Sequence, residues 1–151
     1  MNYKMMGKFL GTVLIIEAAF LLIPLLVAII YSESIMPYLI TLALLLPISV
    51  PSLFLTPKNQ RIYAKDGFVC VALSWVVLSI FGSLPFLFSG AISNPIDAIF
   101  ETVSGFTTTG ASIIPAVEAF PKSLLLWRSF TNWIGGMGVL VFVMALLPLS
   151  G

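Results

Sequence analysis

The sequence predicts an all-α integral membrane fold: two peripheral transmembrane helices, then one unit in which two more transmembrane helices flank a short helix that enters the membrane and returns. Three observations predict it. Of 151 residues, 60% are hydrophobic and only 9% are charged, whereas a soluble domain carries roughly 25% charged residues. Four apolar stretches approach or exceed the ~20 residues that cross a bilayer as a helix. Between the third and fourth lies Phe100–Ser112, a run too polar to sit in hydrocarbon.

Met1–Lys8 is a short basic start carrying Lys4 and Lys8. Phe9–Ile30 is the first span, interrupted by Glu17 and Pro24. Its apolar length exceeds the ~7–15 residues of a signal-peptide core, and no small-x-small cleavage site comes after it, so it reads as a retained helix. Tyr31–Ser34 is a polar turn, and Pro37–Leu55 is the second span, with Pro47 and Pro51 near its end. Proline kinks a membrane helix but is tolerated where neighbours satisfy the freed carbonyls. Thr56–Asp66 is the most polar stretch, with Lys58, Arg61 and Lys65 against Asp66. The positive-inside rule places this loop and the N-terminus in the cytoplasm, and the Ser32–Glu33 turn outside. Residues 1–66 thus form a two-helix region, and 67–151 the span–re-entrant–span unit. Gly67 to about Ser89 runs outward, and about Ser123 to Leu147 returns. Lys122 and Arg128 at the outer end of that last span count weakly against this orientation.

The re-entrant segment carries its own start signal. Asn94-Pro95-Ile96-Asp97 offers an N-cap, a proline at the first helical position and an acid in the first turn. A helix from Pro95 to Phe106 has about three turns, too short to span, so it must be shielded by protein. The negative end of its dipole points at the next five residues, Thr107-Thr108-Thr109-Gly110-Ala111. A dehydrating cation suits that end. Gly110 takes a positive φ at little cost, which lets neighbouring carbonyls turn toward one axis. The same residues also read as a Thr/Gly surface loop after an interfacial helix.

Other chemistry is poorly supplied. The chain has no His and one Cys, Cys70, which sits among Phe68, Val69 and Val71 and reads as a small buried hydrophobe. A net charge of +1 argues against a nucleic-acid partner. No catalytic constellation is present, and the reading is of a protein that is not an enzyme and holds no cofactor. Glu17, the one charge inside a span, suits an interfacial or helix-contact role, with an ion site as the alternative. Asp97 and Glu101 share a helix face and add negative potential near an outer mouth. Arg128 either snorkels outward or hydrogen-bonds backbone or a carboxylate behind the Thr/Gly run, the latter favoured because Trp127 and Trp133 already serve as interfacial anchors. Gly135, Gly136 and Gly138 suggest close helix packing.

Phe100-Glu101-Thr102-x-Ser104-Gly105-Phe106-Thr107-Thr108-Thr109-Gly110-Ala111 resembles the first filter of the Trk/Ktr potassium transporter family, of the TrkH type. Trp127-Arg128-Ser129-Phe130-Thr131-Asn132-Trp133-Ile134-Gly135-Gly136-Met137-Gly138 resembles the start of the next helix in that family. The resemblance implies potassium uptake across the inner (plasma) membrane through a filter of backbone carbonyls, supplied here by Thr107, Thr108, Thr109 and Gly110. It implies four non-identical repeats around one pore, so the chain reads as truncated after the first. It implies a homodimer and a cytoplasmic nucleotide-binding regulatory subunit of the TrkA or KtrA kind, with potassium as cargo and membrane lipid as surroundings. A sodium-permeable or sodium-coupled member, or a structural membrane fragment without transport of its own, are the rival readings. The single glycine, where potassium channels have Gly-Tyr-Gly, weakens the expectation of tight selectivity against sodium.

Overall fold

The computed structural model describes residues 3–55 and 64–146, with the side chains of 64–66 and 139–146 excepted. Among the described residues five α-helices run in order: α1 (Tyr3–Ile30), α2 (Met36–Leu53), α3 (Ala64–Phe88), α4 (Pro95–Phe106) and α5 (Lys122–Leu146). A single 3-10 turn, Val117–Ala119, interrupts the link from α4 to α5. Among the described residues α1, α2 and Gly67–Phe88 of α3 are long and apolar enough to cross a membrane. The fourth expected span coincides with α5, which is 25 residues long. The expected cytoplasmic loop, Thr56–Asp66, falls largely outside the described residues.

The helices α1 and α2 pair through small residues. Gly11 is buried against α2, where a methyl group would collide with the Ser52 hydroxyl. Such small-residue crossings let membrane helices approach closely, and packing rather than water expulsion then holds them. Pro24 lies inside α1, and Pro47 and Pro51 inside α2, without ending either helix. The core between the layers is aliphatic and aromatic: Leu14, Leu21, Tyr38, Leu45, Phe86, Leu124 and Trp127 are all buried. Cys70 is buried on α3, as its apolar neighbours suggest.

Trp127 departs from expectation. It is not an interfacial anchor but a fully buried side chain whose indole N–H donates to the Gly82 carbonyl at 2.8 Å. A buried indole needs a partner, and α3 offers that carbonyl where glycine has no side chain. Trp133, at 53% exposure, remains on the outer face.

A tight turn and one side chain fix the end of the bundle where α1 meets α2. The turn after α1 places Ser32 at φ 56° and returns into α2. Glu33 then reaches across to the start of α5, accepting from the Lys122 amide at 2.7 Å, the Ser123 amide at 3.0 Å and the Ser123 hydroxyl at 2.5 Å. Lys122 lies over the Tyr31 ring, 4.4 Å from its centroid. The peripheral pair is thereby tied to the helix beyond the Thr/Gly run.

Candidate functional site: the α4 helix and the Thr/Gly segment

The helix α4 starts and stops where its residues dictate. The Asn94 side chain accepts from the Ile96 amide at 3.0 Å, Pro95 takes the first helical position, and Asp97 occupies the first turn. One face of α4 is buried: Ala98, Glu101, Thr102, Ser104, Gly105 and Phe106. Ile96, Ile99, Phe100 and Val103 are exposed on the other. Gly105 and Gly135 let the C-terminal end of α4 press on α5. A methyl at Gly105 would collide with the Thr131 hydroxyl, and one at Gly135 with the Phe106 carbonyl. The expected role of the α5 glycines in close packing holds at Gly135.

Beyond Phe106 the backbone is held by short-range bonds. Thr107 N–H donates to Val103 O at 2.9 Å, Thr108 N–H to Gly105 O at 2.9 Å, and Thr109 N–H to Ser104 O at 3.0 Å. Gly110 N–H shares that last acceptor at 3.3 Å. The Ser104 hydroxyl donates to Ala111 O at 2.5 Å, bracing the segment from behind. Thr108 and Gly110 both have positive φ, 56° and 78°, whereas Thr109 between them does not. Left-handed backbone suits glycine but is strained for a β-branched residue. Alternating handedness also cancels the usual strand alternation of carbonyl direction, so successive carbonyls can face one side.

The acceptor side of this segment divides in two. Ala111 O receives Ser104, and Gly110 O receives Arg128 Nη2 at 3.4 Å. Among the described residues no hydrogen-bond donor serves the carbonyls of Thr107, Thr108 or Thr109. The side chains of Thr107 and Thr109 bond each other at 2.8 Å, and residues 107–113 are exposed.

Glu101 is the hub behind the segment, contrary to the expectation that it faces an outer mouth beside Asp97. It is fully buried and paired with Arg128 Nε. It also accepts from the Ser112 hydroxyl at 2.9 Å and the Ile113 amide at 3.0 Å. A buried carboxylate is tolerated where opposite charge and hydrogen bonds meet it together. The favoured role for Arg128, bonding a carboxylate and backbone behind the Thr/Gly run, is the one observed. Sequence reasoning missed Ser104, Ser112 and the left-handed Thr108. A serine on the inward face of α4, seven residues before the carbonyl it braces, was the available clue to Ser104.

These contacts organise the five residues 107–111 beyond the C-terminus of α4, and they contain no cluster of metal-ligating side chains among the described residues. The comparisons with known proteins agree with that architecture. The family model described as TrkH, cation transport protein, matches residues 34–151. The chain belongs to the TrkH family of cation transport proteins. It is 34% identical over 155 residues to the Trk system potassium uptake protein TrkH of Halomonas elongata, covering 100% of this chain and 32% of that protein. It is 37% identical over 153 residues to an uncharacterized cation transporter of Methanocaldococcus jannaschii, covering 94% of this chain and 30% of that one. The crystal structure of the potassium transporter TrkH from Vibrio parahaemolyticus superposes with a TM-score of 0.90 at 36% identity, covering 98% of this chain and 32% of that chain. The chain therefore spans about a third of the length of the curated relatives it matches.

Proposed function

We propose that this segment of a TrkH-family protein contributes to potassium uptake by supplying one of four strands of a filter built from backbone carbonyls. One observation carries the reading. Thr108 and Gly110 alternate in handedness with Thr109, in a segment where the carbonyls of Thr107, Thr108 and Thr109 accept no bond from the described protein. A dehydrated cation needs oxygens that are both free and held in place. The Gly110 carbonyl, which has two lone pairs, keeps one for an ion beside its long bond to Arg128. The C-terminus of α4 adds the negative end of its dipole behind the ring.

The assembly around it is proposed on the resemblance. The first repeat (67–151) joins three others about one axis, the protein pairs as a homodimer in the inner membrane, and a nucleotide-binding cytoplasmic subunit regulates it. The N-terminus is cytoplasmic, with Lys58, Arg61 and Lys65 as its warrant.

Gly110→Ser tests the filter. A side chain at φ 78° is penalised by on the order of 1 kcal/mol. Apart from its two chain neighbours, no atom of the described residues lies within 4 Å of a methyl there, so space is not the obstacle. The backbone is expected to relax away from its present angle and carry the Thr109 and Gly110 carbonyls with it. In the complete transporter, at matched membrane expression, the expected result is weaker potassium affinity for uptake and stronger inhibition by sodium. Unchanged values for both would leave the Thr/Gly segment a loop.

A further inference from the structure

A cavity of about 590 Å³ lies between α1, α3 and α5. Phe9, Val13, Phe20, Val71, Leu78 and Met137 give it an apolar lining. The hydroxyls at its wall are already engaged. Thr12 donates to Lys8 O at 2.9 Å, and Ser74 to Cys70 O at 2.7 Å. Glu17 differs from both. It lines the same cavity, it is 1% exposed, and among the described residues neither of its carboxyl oxygens has a hydrogen-bond partner. Buried polar groups nearly always have partners, and an ionisable group inside a membrane span marks a functional position by default. Among the described residues no second carboxylate lines the cavity, and no group of three His, Cys, Asp or Glu that could hold a metal ion is found.

We propose that this cavity binds an amphiphile dissolved in the bilayer, with an aliphatic body and one hydrogen-bond-donating head, an alcohol or an amine, that docks on Glu17. The volume falls in the range that holds a small organic ligand, and a largely apolar lining with a single orienting polar group is how such sites discriminate. Two of its wall residues, Glu17 and Trp75, also reach toward Phe106, the residue before the Thr/Gly segment. A methyl at Gly82 would lie 3.0 Å from both Glu17 Oε1 and the Phe106 ring, so the carboxyl and the last residue of α4 meet over one glycine. Trp75, a wall residue, packs edge-on against Phe106 with centroids 6.5 Å apart. An occupant that pulls on Glu17 or Trp75 therefore acts on Phe106. Binding stands independently of the filter reading, and only its effect on conduction rests on that reading.

The test is photolabelling of the purified protein in nanodiscs with a twelve-carbon alcohol carrying a diazirine on its chain. Labelled peptides are mapped by mass spectrometry. Labels are expected on Phe9–Phe20 and Val71–Leu78. Unlabelled 1-dodecanol and dodecylamine should compete at least about threefold better than dodecane, the ratio one hydrogen bond supplies. Glu17→Leu should lower labelling by a similar factor. Val71→Phe, which fills the cavity and leaves Glu17 in place, should do the same, so the outcome does not depend on how Glu17→Leu folds. Glu17→Gln should keep competition by the alcohol and lose the advantage of the amine if the amine binds as an ion pair. An advantage retained there identifies a neutral hydrogen bond to either head. Equal competition by dodecane, or labelling indifferent to both Val71→Phe and Glu17→Leu, would overturn the proposal.

Discussion

Glu101 and Glu33 perform the same task at two depths. Each is a carboxylate that accepts from a serine hydroxyl and from backbone, one amide for Glu101 and two for Glu33, and each ties a connection to a distant helix. Glu101 does so with no exposed surface and with Arg128 as a charged partner. Glu33 does so at a half-buried position on the protein surface, with Lys122 close by. The chemistry is shared, and the surroundings differ. In a dry site the loss of one partner leaves a charge that nothing else can solvate. At the surface water replaces what is removed. The segment after α4 therefore depends on its carboxylate far more than the peripheral pair depends on its own.

The largest expected effect breaks the inner pair. Arg128→Met removes the guanidinium and strands Glu101, a change expected to cost on the order of 3 kcal/mol. Thermal unfolding in detergent should show the loss. Adding Glu101→Gln to that variant should recover part of it, because a neutral amide needs no counter-charge. Equal destabilisation in the single and double variants would mean that the guanidinium acts through its other bond, to the Gly110 carbonyl, rather than by neutralising Glu101.

A smaller effect separates the two sides of α4. Thr102 supplies no proposed ion ligand, and from the sequence its loss looks mild. The structure makes it a tie. It is fully buried, and its hydroxyl lies 3.0 Å from Ser79 O on α3 and 2.9 Å from Ala98 O within α4. Thr102→Val keeps the shape and removes the donor. It should cost about 1–2 kcal/mol in thermal unfolding, while leaving ion selectivity close to wild type. A selectivity change as large as that of Gly110→Ser would place Thr102 in the same working unit as the carbonyls.

Much of this was legible in the chain. Asn94-Pro95-Ile96-Asp97 marks the start of α4 because capping is a local preference, and the apolar runs mark α1–α3 because hydrocarbon imposes a length. Gly110 was legible because glycine alone takes positive φ cheaply. Thr108 was not, since a β-branched residue argues against the very conformation it adopts. It is held there by the hydrogen bond that its N–H donates to the Gly105 carbonyl, and beside it Gly136 has no side chain. The burial of Glu101 and Trp127 was equally hidden, because α5 offers Arg128 to the one and α3 offers the Gly82 carbonyl to the other only once folded. Glu33 reaches Lys122 and Ser123 across 89 and 90 residues. One local sign existed: α5 has no acid in its own first turn. Its exposed amides invite an anion from elsewhere.

That anion gives the smallest and most surface-bound effect. Partial burial pushes the Glu33 carboxyl up, but the bonds from the Ser123 hydroxyl and amide and the Lys122 amide, with the Lys122 charge, outweigh it and hold it below its ordinary value of 4.5. A depressed folded value means that the ionised form is the one that stabilises. Its contribution is complete above about pH 4.5 and is lost as pH falls through the lower folded value. Glu33→Gln should therefore lower thermal stability at pH 7 by about 1 kcal/mol, the usual scale for a lost helix cap. The gap between wild type and variant should close as the pH is brought well below 4.5. High salt should narrow it at pH 7 by screening Lys122, without abolishing it, because the amide bonds are short-range. A gap that persists unchanged at low pH would show that Glu33 holds α5 by shape rather than by charge. The comparison with Glu101 would then lose its surface half.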